Sequence, residues 1–379
     1  PGGSRPGGGT PGGRGRGGRR GAEGSWSSAI GAPIVAYPAR GKSRRARSCG
    51  VAWVGVDVTD GCAIGVDLGG TKILAGAVDR ELGVIHQVRR PAPAEDAETL
   101  LGAIAAAVEE VRDRAGVEVA AVGYGIPALI DADRGVAVSS VHLPINGIPF
   151  ARAMADRVGL PAFVDNDANL ALLAEHRRGA AAGAGNALML TLGTGIGGGI
   201  VIDGRIYRGS RGAAGELGHM IVWADGPDCG PGCPSRGCLE AVASGTALVR
   251  AARAAADGDP GSGLGRARAA GGEIDGPLVT ELAAAGDPGA AAVIAGVGRW
   301  LGVGLTSLLN IFDPEVVVIG GGVIAAGEQL LGPARAVVAD RALEPARDRA
   351  RIVAAHFGPE SGMLGAALLA YDSIEGRTA

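Results

Sequence analysis

The sequence predicts an α/β protein made of two similar halves with a cleft between them. Short apolar runs of strand length alternate with segments of helical periodicity, which is the pattern of strands covered by helices. Each half also begins with the same unit, two strands joined by a glycine-rich turn. The chain has 379 residues, 47% of them hydrophobic, so it is long enough for two domains with a substantial core.

The first half begins with an apolar run that ends in Gly69-Gly70-Thr71, which predicts a buried strand entering a tight turn. After two more short strands, apolar residues recur at the spacing of an amphipathic helix. The predicted elements are strands Ala63–Leu68, Lys72–Val78, Gly83–Val88, Val117–Tyr124 and Pro161–Val164, and helices Glu95–Arg114 and Ala168–His176.

The second half repeats this order. Asp287-Pro288 is a helix start signal, because aspartate caps a helix and proline suits the first turn. Ala251–Gly286, rich in alanine, glycine and aspartate, predicts a surface helix with loops. The other predicted elements are strand Asn186–Leu192, a glycine turn over Gly193–Gly199, strand Ile200–Ile206, a helix from Asp287 to Ile311, and strand Glu315–Ile319 followed by Gly320-Gly321-Gly322.

Residues 1–62 differ in composition from the rest of the chain. They hold ten of the 36 lysines and arginines but three acidic residues, and 12 of the first 24 residues are glycine. Such a segment cannot bury enough apolar surface to fold, so we predict a disordered tail, with a basic arm that binds nucleic acid as the alternative. The net charge is −3 and the longest apolar run has 11 residues, which predicts a soluble chain with neither a nucleic-acid partner nor a membrane span.

The glycine turn of the second half fits the formal G-x-G-x-x-G pattern of dinucleotide-binding loops. That pattern has to lie between a strand and a helix, whereas residues 200–206 alternate like a strand. The sequence therefore predicts a hairpin whose tip approaches phosphate oxygens with its backbone N–H groups. An ordinary hairpin without a ligand is the alternative.

Five motifs together resemble the ROK family of sugar kinases and regulators, and most of all its actinobacterial-type glucokinases. They occur in the order and at the spacing of the family, over about residues 63–375. Two resemble its phosphate motifs, one its sugar and catalytic motif, and two its sugar and zinc signature. In that order they are Asp67–Lys72, Thr191–Gly199, Asp165–Asn169, Gly215–His219 and Cys233–Glu240.

The resemblance implies an actin-like, ribonuclease-H-like fold of two domains with a cleft between them. A small α/β domain would comprise residues 63–172 together with the C-terminal helix 361–379. A large α/β domain would comprise residues 173–360 and carry the zinc loop. The implied activity is ATP-dependent phosphorylation of a hexose hydroxyl, with glucose converted to glucose 6-phosphate as the favoured reaction.

Site residues are implied by the same motifs. Asp167 is the expected general base, because phosphoryl transfer needs an acceptor for the hydroxyl proton; a helix cap is the alternative role of residues 165–167. The expected sugar ligands are Asn166, Glu216, His219 and Glu240, and the two glutamates could instead be solvated charges or, for Glu240, a helix-start acid. The expected nucleotide-binding residues are Asp67, which would help hold Mg²⁺–ATP, Gly69, Gly70, Thr71, Lys72, Gly193, Thr194, Gly195, Gly320, Gly321 and Gly322. Lys72 could also be no more than the first residue of its strand.

Three of the five cysteines fall within ten residues. Cys229, Cys233 and Cys238 with His219 make a Cys₃His set suited to structural, tetrahedral Zn²⁺, with a coincidental cluster of thiols as the alternative. The chain departs from the family pattern by two extra residues between Cys229 and Cys233. We expect His219 to bind zinc through one ring nitrogen and sugar through the other.

Another departure concerns the sugar. His142 stands where many members have an asparagine, which leaves N-acetylmannosamine, fructose or mannose as alternatives to glucose. The phosphoryl donor is ATP or polyphosphate.

A ROK transcriptional regulator is a rival interpretation, but it needs a helix-turn-helix that residues 1–62 do not indicate. A plain actin-like ATPase would not need the sugar ligands. We further expect a cytoplasmic homodimer.

Overall fold

Strands and helices alternate through the part of the chain that the structure, a computed structural model, describes: residues 61–141 and 143–377. The strands are β1 Cys62–Leu68, β2 Lys72–Val78, β3 Val84–Pro91, β4 Val119–Ile126, β5 Leu129–Asp131, β6 Val136–Ser139, β7 Ala162–Asn166, β8 Ala187–Leu192, β9 Ile196–Ile202, β10 Arg205–Ile206, β11 Val316–Gly320 and β12 Arg351–Ala354. The helices are α1 Ala97–Ala115, α2 Phe150–Val158, α3 Asp167–Arg178, α4 Leu239–Ala243, α5 Gly245–Gly258, α6 Gly263–Ala269, α7 Gly276–Ala284, α8 Pro288–Phe312, α9 Glu328–Arg341, α10 Ala346–Arg349 and α11 Ser361–Ile374.

Two five-stranded sheets of the same topology form the centre of the protein. The first has the order β3-β2-β1-β4-β7 and the second β10-β9-β8-β11-β12. In each sheet the first three strands are antiparallel and the last three are parallel. This repetition confirms the predicted duplication of an α/β unit.

The C-terminal helix α11 lies directly against the first sheet. A Cβ on Gly65 of β1 or Gly123 of β4 would overlap the carbonyl oxygens of Met363 and Ala366, so only glycine allows this approach. On its other side α11 packs on α3, where Gly365 meets the backbone of Leu170 in the same way. The helix is therefore enclosed between a sheet and a second helix. The predicted boundary between domains at residue 172 stays a prediction.

Asp287 caps α8 as predicted, since its side chain accepts a hydrogen bond from the N–H of Ala290. By length and composition α8 could cross a membrane, but more than half of its most apolar window is buried in the protein. Ile294, Leu301 and Leu305 are fully buried in the core beside the second sheet. We therefore interpret α8 as a core helix.

Two predictions about the second half were wrong. Ile196–Gly199 belongs to strand β9 and pairs with β8, so the turn is only residues 193–195 and the second strand begins four residues earlier than predicted. The glycines of β9 serve packing: a Cβ on Gly199 would lie 3.0 Å from the carbonyl oxygen of Ala168. The segment Ala251–Gly286 is also more than surface helix and loops, because it holds most of α5 and all of α6 and α7, which bury Ala252, Leu264 and Val279 in the core.

Candidate active site

The carboxyl ends of the parallel strands in the first sheet bring the acidic motifs together. Asp67 at the end of β1 lies in register with Gly125 of β4, which in turn lies in register with Asp165 of β7. Asp167 follows β7 directly as the first residue of α3, and a Cβ on Gly125 would lie 3.5 Å from its Cα atom. Ligands of open α/β sheets bind at this edge.

The proximity of these carboxylates affects their pKa values. Burial, together with the charge of Asp167, raises the pKa of Asp67 to about 7. Burial is also the main reason why the pKa of Asp167 rises to about 6, although the N–H of Ala168 opposes the shift. The pKa of Glu216 is raised by partial burial and by Glu240. A pKa near 6 lets a carboxylate be ionised at neutral pH and still accept a proton during a reaction.

Asn166 is the N-cap of α3. Its side-chain Oδ1 accepts hydrogen bonds from the N–H groups of Ala168 and Asn169, at 3.0 and 3.2 Å. Its Nδ2 lies 3.4 Å from the carbonyl oxygen of Ala128. The predicted cap is therefore present and is Asn166, while Asp165 is engaged in an ion pair with Arg208.

His219, Cys229, Cys233 and Cys238 bring their ligand atoms within 4.8 Å of one another. Cys229 Sγ lies 3.4 Å from His219 Nδ1, and the Sγ atoms of Cys233 and Cys238 are 3.9 Å apart. Ligand atoms around a tetrahedral Zn²⁺ are separated by about 3.4–3.8 Å, given its bond lengths, so the donor set fits this ion. The prediction that these four side chains lie close together is therefore confirmed.

The two extra residues of the zinc loop form a glycine turn. Gly230 and Gly232 have φ values of 129° and 85°, which favour glycine, and the N–H of Cys233 donates to the carbonyl oxygen of Gly230. The turn absorbs the insertion, so Cys229 still reaches its partners. A Cβ on Gly232 would lie 2.7 Å from Val141, the neighbour of His142, and His142 itself lies outside the described residues.

His219 and Glu240 connect the metal cluster to its surroundings. His219 presents Nδ1 to the thiols and Nε2 towards Glu216, 3.8 Å from its carboxylate oxygen. Glu240 accepts a hydrogen bond of 2.7 Å from the N–H of Ile196 through Oε2, and its Oε1 lies 3.6 Å from Cys229 Sγ. The zinc loop, the sugar motif and the β8–β9 turn are thus in direct contact.

A cavity of about 980 Å³ opens beside the β8–β9 turn. Its lining includes Lys72, Gly193, Thr194, Thr246 and Gly322. The first turn of α5 closes one side, because the N–H of Gly245 donates to the carbonyl oxygen of Gly193 and Thr246 Oγ1 donates to that of Thr194. The basic side chains in its lining suit phosphate groups.

The nucleotide prediction needs one correction. The N–H of Gly69 donates to the carbonyl oxygen of Lys72 at 2.8 Å and closes the β1–β2 turn, so it is not available to a phosphate. Neither Gly69, Gly70 nor Thr71 lines the cavity, although the adjacent Lys72 does. A second cavity, of about 880 Å³ and lined by the stacked Trp223 and Trp300, contains none of the predicted site residues.

Sequence reasoning missed two contributions to the site. Thr246 and the start of α5 could have been found, because Ser244 is a capping residue type and accepts from the N–H of Ala247. The pairing of Asp165 with Arg208 had no sequence signal, since 43 positions separate the two residues.

Comparison with known proteins agrees with these motifs. The profile of the ROK family matches residues 63–373. A glucokinase of Streptomyces coelicolor is 38% identical over 317 residues, 82% of this chain and 98% of the relative. An N-acetylmannosamine kinase of Citrobacter koseri is 33% identical over 311 residues, covering 81% of this chain and 98% of the relative.

The solved structure of a ROK family glucokinase from Streptomyces griseus, in complex with glucose and AMPPNP, is 39% identical. It superposes with a TM-score of 0.76 and covers 82% of this chain and 100% of that one. The fold predicted from the sequence is therefore confirmed, and with it the resemblance carried by the five motifs. The chain belongs to the ROK family.

Proposed function

We propose that the protein transfers the γ-phosphoryl group of ATP to a hydroxyl of glucose, giving glucose 6-phosphate and ADP. The observation that carries this proposal is the convergence of Asp167, Glu216, His219 and Glu240 near a cavity that also meets Lys72 and the β8–β9 turn. The names of the two glucokinase relatives, one solved with glucose and AMPPNP, support the same substrates.

Asp167 accepts the proton of the reacting sugar hydroxyl. The hydroxyl oxygen forms a bond to the γ-phosphorus, the bond to the bridging oxygen of ADP breaks, and the proton passes to the carboxylate. Because the pKa of Asp167 is about 6, the group is mostly ionised at neutral pH and is still basic enough to receive the proton late in the transfer. Asn166, Glu216, His219 and Glu240 bind the other hydroxyl groups of the sugar.

The nucleotide occupies the cavity of about 980 Å³, a volume within the usual range for a ligand of this size. The Lys72 ammonium group neutralises phosphate charge, and Gly193, Thr194 and Gly322 line the cavity. The half-buried carboxylate of Asp67 holds Mg²⁺–ATP, directly or through water, because Mg²⁺ prefers oxygen ligands. Of the remaining predicted positions, Gly70 and Thr71 shape the β1–β2 turn and Gly195 the β8–β9 turn, while Gly320 ends β11 and Gly321 follows it.

Cys229, Cys233, Cys238 and His219 would hold a Zn²⁺ ion, which would cross-link the sugar loop. The closed set of four protein ligands is that of a structural site. When Nδ1 of His219 is held by the metal, Nε2 is fixed on the side of Glu216, where a sugar hydroxyl can be bound. The metal thus sets the orientation of a sugar ligand.

Two lobes close on the substrates and exclude water. One lobe comprises residues 63–172 with 361–379, and the other comprises residues 173–360. We place the enzyme in the cytoplasm, where ATP and hexoses are available, and expect a homodimer. The segment that a ROK regulator would need for a helix-turn-helix lies almost wholly outside the described residues.

A coupled assay of ADP release across a panel of hexoses tests the proposal. Glucose should give the highest kcat/KM among glucose, mannose, fructose and N-acetylmannosamine, with ATP preferred to polyphosphate as donor. Preference for N-acetylmannosamine would move the assignment to the kinase class of the second relative. Binding of operator DNA without phosphorylation of any sugar would favour the regulator.

A further inference from the structure

A buried ion pair joins the two sheets next to the acidic motif. Asp165 is 2% exposed at the end of β7, an edge strand of the first sheet. Arg208 follows β10, an edge strand of the second sheet, and places both Nε and Nη2 on Oδ2 of Asp165, at 2.7 and 2.6 Å. Contacts of this kind between a guanidinium and a carboxylate are strong and restrict orientation.

The other oxygen of Asp165 fixes the residues that follow it. Oδ1 accepts a 2.8 Å hydrogen bond from the N–H of Asn166 and lies 3.3 Å from Nδ2 of Asn169. Asn166 in turn caps α3, whose first residue is Asp167. The orientation of the Asp165 carboxylate therefore determines where the backbone turns from β7 into α3, and with it the position of the Asp167 side chain.

Arg208 also stands at the start of the loop that carries Glu216. The carbonyl oxygen of Arg208 accepts from the N–H of Ala214, which closes the loop on itself. Within the loop Gly212 has φ 75°, and a Cβ there would overlap the carbonyl oxygen of Ile130, so the loop is pressed against β5. The loop is thus tied at Arg208 and packed at its middle before it reaches Glu216.

We propose that Arg208 is a positioning residue for sugar phosphorylation, holding the loop of Glu216 against the strand end that presents Asp167. This inference rests on the proposed function of those two carboxylates. The ion pair of Arg208 is with Asp165, the first residue of the sugar and catalytic motif. Its loss should therefore disturb the sugar and the reacting hydroxyl while leaving nucleotide binding alone.

The test is Arg208→Lys, which keeps the positive charge but replaces two fixed nitrogens with one mobile ammonium. We expect kcat to fall by about tenfold or more and the KM for glucose to rise by a similar factor, because small misplacements of reacting groups have large effects on rate. The KM for ATP should change by less than about twofold if the nucleotide is held independently.

Arg177→Lys is the matched control. Arg177 also pairs with a fully buried aspartate, Asp372, at 2.6 Å, and it lies at the opposite end of α3 from Asp167. Arg177→Lys makes the same substitution in a buried ion pair away from the site, where Arg377 also pairs with Asp372 at 2.9 Å. We expect its kinetic constants to stay within about twofold of the parent, because distant structural sites act independently.

Unchanged kcat and glucose KM in Arg208→Lys would overturn the inference, as would equal losses in both lysine variants. So would a lower kcat with every KM unchanged, since that reports a smaller folded fraction. If Arg208→Lys does not fold, Asp165→Asn combined with Arg208→Gln replaces the ion pair by two amides and must show the same rise in glucose KM. Asp167→Asn distinguishes a failure of the proposed function from a failure of this inference. If Asp167→Asn stays active, the proposed function is wrong. If Asp167→Asn is inactive and Arg208→Lys has normal kinetic constants, only the inference is wrong.

Discussion

Replacing Asp167 by asparagine removes the proposed base with almost no change in shape. Asparagine keeps an oxygen that can accept from the N–H of Ala168, which lies 2.9 Å from Oδ1 of Asp167. The amide cannot accept the proton of a sugar hydroxyl. General-base contributions are typically about 10²–10⁴-fold, so we expect kcat to fall at least about 100-fold while the KM for glucose changes little.

The same substitution should stabilise the fold at neutral pH. The pKa of Asp167 is raised from 3.8 to about 6, so the folded protein binds its proton more tightly than the unfolded chain. Stability is therefore lost as pH rises between about 4 and 6, and the full penalty, about 3 kcal/mol at most, persists above pH 6. Asparagine carries no such penalty, and it also relieves the charge that raises the pKa of Asp67.

Both effects can be measured on one preparation. Coupled ADP release from pH 5 to 8 should show the kcat/KM of the parent enzyme for glucose falling as pH drops through about 6. Thermal unfolding should give a higher Tm for Asp167→Asn at pH 7.5, with the difference vanishing near pH 4 because both proteins are then uncharged at this position. Asp203→Asn, the same change at an exposed turn residue, is the control and should alter neither quantity. A kcat within a few-fold of the parent, or a Tm below it at pH 7.5, would refute the reasoning.

Three further predictions follow from other parts of the structure. Metal analysis of the purified protein should find about one zinc per chain, and Cys233→Ser should lower this content and raise the glucose KM; active protein that is reproducibly metal-free would contradict the site. Lys72→Met should raise the KM for ATP about tenfold or more and leave the KM for glucose unchanged, because it removes a charge beside the phosphates. An unchanged KM for ATP would mean that Lys72 is only a structural residue of its strand. Gly65→Ala should lower the free energy of unfolding, measured by urea denaturation, by roughly 2 kcal/mol or more, because the new Cβ overlaps the backbone of α11. The control is Gly102→Ala in α1, which should be neutral or stabilising because a Cβ there meets no atom within 4 Å.

Local signals made most of the fold predictable. Apolar runs bounded by glycine predicted the strands of the first sheet, and β8, β9 and β11 of the second, to within a few residues, whereas β12 was not predicted. Asp287-Pro288 located the start of α8. The five motifs identified the family, and the four zinc ligands gather as expected. The roles of the individual sugar and nucleotide residues stay predictions that the experiments above address.

The errors arose where one residue type has two physical uses. Glycine permits a turn, but it also permits close packing, and the glycines of β9 lie in a strand because α3 and the loop before Glu216 press against them. Sequence alone does not distinguish these uses. The alanine-rich segment before α8 was underestimated for a related reason, since small residues such as Ala252 fill a core without giving a strong hydrophobic signal. Long-range pairs such as Asp165 and Arg208 leave no local pattern at all.

The backbone packing of α11 has a consequence for biosynthesis. The strand that carries Asp67 is the first one described, but the helix that covers it is the last, and Gly362 at its start lies against the Asp67 carboxylate. A ribosome therefore synthesises every strand of the second sheet before β1 and β4 receive this cover. A chain cut before α11 would expose the apolar face of β1 and β4 and would leave the Asp67 carboxylate without its neighbour Gly362.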